Sequence, residues 1–170
     1  EEAGVLCHCS FQELYRLLLG SRIAERLLLR LAERRVGAAE AFRALARSVS
    51  WQWWVPRGRE LVINVHAGAS RFAHEGAAEA ILASAIRDAS GPMAADAPTR
   101  LDGAASLGAP PARLVVRIYG NRASISLDLD GEPRYRRGGK ADTGTASLRE
   151  SSAAALLRFA GLGPGIPLLD

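Results

Sequence analysis

The densest run of side chains able to hold a charged ligand is Arg134, Arg136, Arg137 and Lys140, with Tyr135 inside it and glycines at 131, 138 and 139. A guanidinium grips phosphate with two parallel hydrogen bonds and also stacks on bases. Glycines let the backbone come close to a partner. Charge, an aromatic ring and bare backbone together suit single-stranded or irregular RNA. A solvated loop, salt-bridged back to the acidic stretch Asp128, Asp130 and Glu132, is the plainer reading of the same residues.

A second candidate is Ser70-Arg71-Phe72-Ala73-His74, at an expected strand-to-helix junction. Free N–H groups at a helix start, with Ser70 and Arg71 beside them, make a phosphate site. His74 suits a cap or a core position equally well. Trp51, Trp53 and Trp54 could stack on bases, but large aromatics behind a helix belong first to a core. His66 sits on the strand face opposite Leu61, Ile63 and Val65 and reads as structural.

Cys7 and Cys9 flank His8. In a strand the thiols point one way and the imidazole the other, so the three do not converge on a metal. Zinc wants four ligands, and no second Cys/His cluster lies near in sequence. Buried or half-buried strand thiols without a disulfide are therefore expected, with no metal. No phosphate-binding glycine loop, dinucleotide fingerprint or nucleophile elbow is present. Gly161-Leu-Gly-Pro-Gly165 reads as a linker. No catalytic or cofactor-binding residues are expected in these 170 residues.

The elements that carry these candidates read as follows. Residues 4–9 suit a short strand. Ser10 and Glu13 have capping-box spacing before a helix with Phe11, Leu14, Leu17 and Leu18 on one face. Leu27, Leu29 and Leu31 alternate as in a strand, and a helix fits the same run as an alternative. Residues 38–48 form a helix burying Phe42 and Leu45. Leu61, Ile63 and Val65 alternate as a strand. Residues 75–89 carry the clearest helical periodicity, through Ala77, Ala78, Ile81, Leu82, Ala85, Ile86 and Ala89. Residues 90–111 have no period and read as a surface loop. Leu114, Val116 and Ile118 form a strand that Gly120-Asn121 turns back into Ala123, Ile125, Leu127 and Leu129. Ser147 and Glu150 suggest a second capping box, before a helix burying Ala153, Leu156 and Leu157.

Composition permits a nucleic-acid partner without demanding one. The net charge is +4 and Lys140 is the only lysine among 22 basic residues, the rest being arginines. The hydrophobic share of 48% supports a real core. No apolar run approaches the roughly 20 residues that span a bilayer. A cytoplasmic protein without a membrane partner is expected. Oligomeric state is not legible.

Several segments together resemble the THUMP-containing RNA methyltransferases that act on guanine N2 of bacterial 23S ribosomal RNA or of tRNA. Phe11-Gln-Glu-Leu-Tyr-Arg-Leu17 through Ser21-Arg-Ile-Ala24 resembles the end of that family's N-terminal ferredoxin-like domain. Ser70–His74 resembles a junction inside its THUMP fold. Ser124–Glu132 followed by Arg136-Arg137-Gly138 resembles a family signature, and Leu148-Arg-Glu150 with Ala153–Leu157 resembles the helix behind it. Arg134 stands where that pattern has leucine, Gly139 where it has an aromatic, and Lys140 where it has arginine.

The resemblance implies an α+β fold: a partial ferredoxin-like piece at 1–36, a THUMP RNA-binding domain at 37–146, and, at 147–170, a linker helix with the first strand of a Rossmann-like methyltransferase domain. Pro167-Leu-Leu-Asp170 is similar to the start of that strand, so the chain is expected to stop short of the loop that holds S-adenosylmethionine. It implies an RNA partner, gripped by Ser70, Arg71, His74, Arg134, Arg136, Arg137 and Lys140. It implies no cofactor in this segment, and S-adenosylmethionine in the full-length protein. Two alternatives remain: the THUMP module of a thiolation, deamination or pseudouridylation enzyme, or a non-catalytic interaction module whose basic residues lie apart and paired with carboxylates.

Overall fold

The computed structural model describes residues 4–55, 60–68, 75–90, 111–131, 133–134, 148–163 and 165–166. The chain divides into two compact units. One is Leu28–Gly131, and the other joins Glu1–Leu27 to Glu132–Asp170.

The Leu28–Gly131 unit is built on a four-stranded sheet in the order β1-β4-β3-β2. The strands are β1 (Leu28–Arg35), β2 (Leu61–Gly68), β3 (Ala112–Tyr119) and β4 (Arg122–Asp128). β4 runs antiparallel to both β1 and β3, while β2 and β3 are parallel. A parallel pair needs a crossover, and α4 (Glu75–Ser90) lies between these two strands in the chain. β3 and β4 are joined by Gly120-Asn121, where Gly120 takes φ +58°. That left-handed conformation is cheap only without a Cβ.

One face of the sheet carries Leu61, Ile63, Ala112, Leu114, Val116, Ile118, Ala123 and Ile125, all buried. They pack with α2 (Ala39–Arg47) and α4. Phe42, Leu45 and Ala46 come from α2, and Ala78, Leu82, Ala85 and Ile86 from α4. The i, i+4, i+7, i+8 spacing on α4 is what a helix lying along a sheet requires. Ala77 and Ala89, expected on that face, are exposed.

Trp51–Trp54 form one helical turn, α3. Trp51 is fully enclosed, and its indole N–H donates to the Ala46 carbonyl at 2.8 Å, so the buried donor is satisfied. Trp54 packs at the edge of the core, whereas Trp53 is exposed.

β1 belongs to this sheet throughout. The expected boundary at 36 would have parted it from β4, its partner strand. A register shift between Arg30 and Ala32 places Leu31 in a bulge, which interrupts the expected alternation of Leu27, Leu29 and Leu31.

In the other unit, α1 (Phe11–Gly20) opens with the expected capping box. The Ser10 hydroxyl accepts from the Glu13 N–H at 3.3 Å, and the Glu13 carboxylate accepts from the Ser10 N–H at 2.7 Å. Residues 4–9 form no strand and are exposed. Cys7 and Cys9 are therefore exposed free thiols, not buried or half-buried strand residues.

α5 (Glu150–Phe159) begins at Arg149, which makes no side-chain cap; Ser147 lies outside the described residues. Glu25 takes over the helix start. Its carboxylate accepts from Ser151 Oγ at 3.3 Å and from Arg149 Nη1 at 3.2 Å, bringing negative charge to the positive end of the helix dipole. Ser151 is buried, while Leu156 and Leu157, expected inside, are exposed. Gly161, at φ +72°, ends the helix, and the next N–H, of Leu162, returns to the Leu157 carbonyl at 3.0 Å.

Among the described residues no helix is long and apolar enough to cross a membrane.

Candidate functional site

Of the seven expected phosphate-gripping residues, Ser70, Arg71, His74, Arg136, Arg137 and Lys140 lie outside the described residues. Arg134 is described, and its place corrects the expectation. It is 7% exposed. Its Nη2 donates to the Leu18 carbonyl and stands 3.4 Å from the carbonyls of Leu17 and Ser21. Its own N–H donates to the Glu25 carbonyl at 2.9 Å.

Those carbonyls close α1, whose last turn carries no basic residue. The last carbonyls of a helix lack partners within it and sit at the negative end of the dipole. Arg134 supplies both donor and positive charge from far along the chain. A guanidinium so enclosed is not presented to phosphate. The signal was the leucine that the family pattern carries at 134, an apolar choice that marks an inside position.

The face of the sheet turned away from the helices holds residues that sequence reasoning passed over. Partners across the strands share a face, so the register fixes its layout. One row runs Arg35, Arg122, Tyr119, Gly68, and the next Glu33, Ser124, Arg117, His66. With strands about 4.8 Å apart, each row spans about 14 Å. Arg35, Arg117, Arg122, Tyr119 and His66 are all exposed.

Tyr119 is 69% exposed, yet its ring rests on β2: a Cβ placed on Gly68 would stand 3.3 Å from the ring's Cδ2. Glu33 is the one acid in the two rows, and it pairs with Arg122 at 2.8 Å and with Arg30. Further down the same face Val115, Ser126 and Asp128 are buried, and the Asp128 carboxylate accepts from the Asp130 N–H at 3.0 Å. Of the exposed residues in the two rows, the sequence singled out only His66, as structural. Their convergence needs the strand order, which no single strand reveals.

No group of His, Cys, Asp and Glu among the described residues has the arrangement of a metal site. An open hollow of about 880 Å³ in the α1–α5 unit is lined by Cys7, Cys9, Glu13, Arg16 and Arg158, among others. Local desolvation, with Cys7 and Glu13 alongside, raises the Cys9 thiol above its ordinary range. It stays protonated, the opposite of a reactive thiolate.

No family model matches the chain. Across 156 residues, 91% of its length, it is 31% identical to ribosomal RNA large subunit methyltransferase K/L of Chromohalobacter salexigens, covering 21% of that protein. A second such methyltransferase, from Magnetococcus marinus, is 33% identical across 86% of the chain, which covers 20% of it. The chain thus spans about one fifth of the length of the relatives it matches. Among solved structures, TrmN from Thermus thermophilus superposes with a TM-score of 0.62 at 27% identity, covering 85% of this chain and 40% of that one. The likeness in fold, an α+β arrangement around a mixed sheet, goes with a likeness in sequence, along most of the chain, to one segment of proteins named ribosomal RNA large subunit methyltransferase K/L.

Proposed function

We propose that this chain is the RNA-gripping part of an S-adenosylmethionine-dependent methyltransferase that modifies guanine N2 in large-subunit ribosomal RNA. The observation that carries the reading is the alignment along nine-tenths of the chain with one segment of proteins named for methylating that RNA. In the full-length protein S-adenosylmethionine supplies the methyl group. The residues of this segment bind and orient the RNA.

The basic run fits that division of labour. Arg136, Arg137 and Lys140 hold phosphates, and Ser70, Arg71 and His74 form a second contact at the start of α4. Four phosphate contacts on a single strand make log affinity fall with log salt at a slope of about −2.8, roughly a fifty-fold loss between about 50 and 200 mM.

The test is binding of the chain to fragments of 23S ribosomal RNA and to total tRNA at those two salt concentrations, with the double variant Arg136→Glu/Arg137→Glu alongside. The reading expects salt-sensitive binding, tighter to the ribosomal fragments and lost in the variant. Preference for tRNA would move the target. A folded chain that binds neither RNA would favour an interaction module.

A further inference from the structure

The sheet face away from the helices gathers three arginines and an exposed tyrosine, with Glu33 as the one acid among them. Arg35 and Arg122 stand directly opposite each other across β1 and β4. Like charges at such a position are destabilising. Tyr119, on the neighbouring strand, leaves most of its ring in water. Arg117 and His66 extend the positive and polar surface across β3 and β2 in the next row. Arg117 has no ion pair among the described residues.

We propose that the Arg35–Arg122–Tyr119 and Arg117–His66 rows of the sheet form a binding site for unpaired RNA nucleotides, made of residues other than Arg136, Arg137 and Lys140. The inference rests on the RNA-binding reading above and adds where unpaired bases go. Tyr119 supplies the platform. The Cδ2 edge of its ring lies beside Gly68, where no side chain crowds it, and a base stacks on what remains exposed. Arg122 stands opposite Arg35 and diagonally across from Arg117, and the three take the phosphates that flank that base.

The four strands offer a floor about 14 Å wide, which suits an extended strand. Glu33 is the opposing element. Its carboxylate occupies Arg122 in the free protein and gives it up when phosphate arrives. Arg122 keeps 64% of its side chain in solvent while paired, so the exchange needs no backbone movement.

The experiment uses the whole chain and a ten-nucleotide oligouridylate, with a duplex of equal length as comparison. The probes are Tyr119→Ala, Arg117→Glu and Glu33→Gln, with Arg136→Glu/Arg137→Glu beside them and circular dichroism as the check on folding. The expected results are tighter binding of the single strand than of the duplex, about tenfold weakening by Tyr119→Ala and by Arg117→Glu, and two- to fivefold tightening by Glu33→Gln. A Tyr119→Trp variant should keep the affinity and lose fluorescence as the oligouridylate stacks.

RNA binding that Arg136→Glu/Arg137→Glu abolishes, while Tyr119→Ala and Arg117→Glu leave it within twofold, overturns this site and keeps the RNA reading. The same holds if Tyr119→Trp fluorescence is unmoved at saturating oligouridylate. A folded chain that binds no RNA overturns both.

Discussion

Arg134 donates a hydrogen bond to the carbonyl of Leu18, 116 residues earlier in the chain. The contact completes the C-terminal end of α1 with a charge that the helix's own last turn lacks. It also ties Glu1–Leu27 to the segment that starts at Glu132, which explains how two stretches so far apart make one unit.

Removing that guanidinium strands helix-end carbonyls in a poorly solvated place. Arg134→Met keeps the bulk and loses the donors. It should cost about 1.5–3 kcal/mol, the range for hydrogen bonds to a charged group. Urea unfolding measures the loss, and amide exchange should show it concentrated in α1. Unchanged exchange at α1 would mean that Arg134 closes nothing. RNA affinity at fixed folding should stay the same, which separates 134 from 136 and 137.

Trp51 was legible as core from its place behind a helix, and the structure adds its donor to Ala46. Two substitutions separate volume from hydrogen bond. Trp51→Phe keeps most of the volume and orphans the Ala46 carbonyl, for about 1–3 kcal/mol. Trp51→Ala opens a cavity in the core, for about 3–5 kcal/mol. A Trp51→Phe variant as stable as the unchanged chain in denaturant unfolding would show that the indole N–H contributes nothing.

How much was written locally decides what could be read. The strands β2, β3 and β4 alternate over several residues, α4 repeats its apolar face for four turns, and the Ser10–Glu13 spacing is a self-contained device. All were legible. Residues 4–9 have an apolar share suited to a strand but find no partner strand, and a strand without a ladder is not one. Leu156 and Leu157 match a helical face, yet what a helix buries is set by its neighbours. The boundary at 36 failed because β1 is defined by pairing with β4, some ninety residues on. The sheet face of Tyr119, Arg117 and Arg122 escaped for the same reason: adjacency across strands depends on register, not on spacing along the chain.

The capping box predicts a pH response. Hydrogen bonds from the Ser10 backbone and then its hydroxyl lower the Glu13 carboxyl below its ordinary value of 4.5. A carboxylate lowered on folding adds stability above its unfolded value, and that stability is lost as pH falls through the lowered one. α1 should therefore hold its first turn at neutral pH and fray as the solution is acidified from the ordinary value of 4.5 downward through the lowered one. Amide exchange at Glu13 and Leu14, followed against pH, reads this directly. Ser10→Ala should fray the same turn at neutral pH and flatten the profile. A profile identical in the unchanged chain and in Ser10→Ala would mean that the box is not formed in solution.

Gly68 offers a way to move Tyr119 without touching it. A methyl group at 68 would meet the ring at 3.3 Å, tight enough that the ring must shift by a few tenths of an ångström. The ring is mostly in solvent and free to yield, so the clash is cheap. Replacing glycine by alanine in a strand also removes conformational freedom from the unfolded chain, which favours folding by about 0.4–1 kcal/mol. Gly68→Ala should therefore leave thermal stability equal or slightly raised. Oligouridylate binding should weaken by a few-fold, because the stacking platform is tilted while every charge stays in place. A stability loss above about 1 kcal/mol would show that the ring is wedged on the Gly68 backbone and cannot yield. Unchanged affinity, with Tyr119→Ala weakened, would show that the ring stacks without needing Gly68 beneath it.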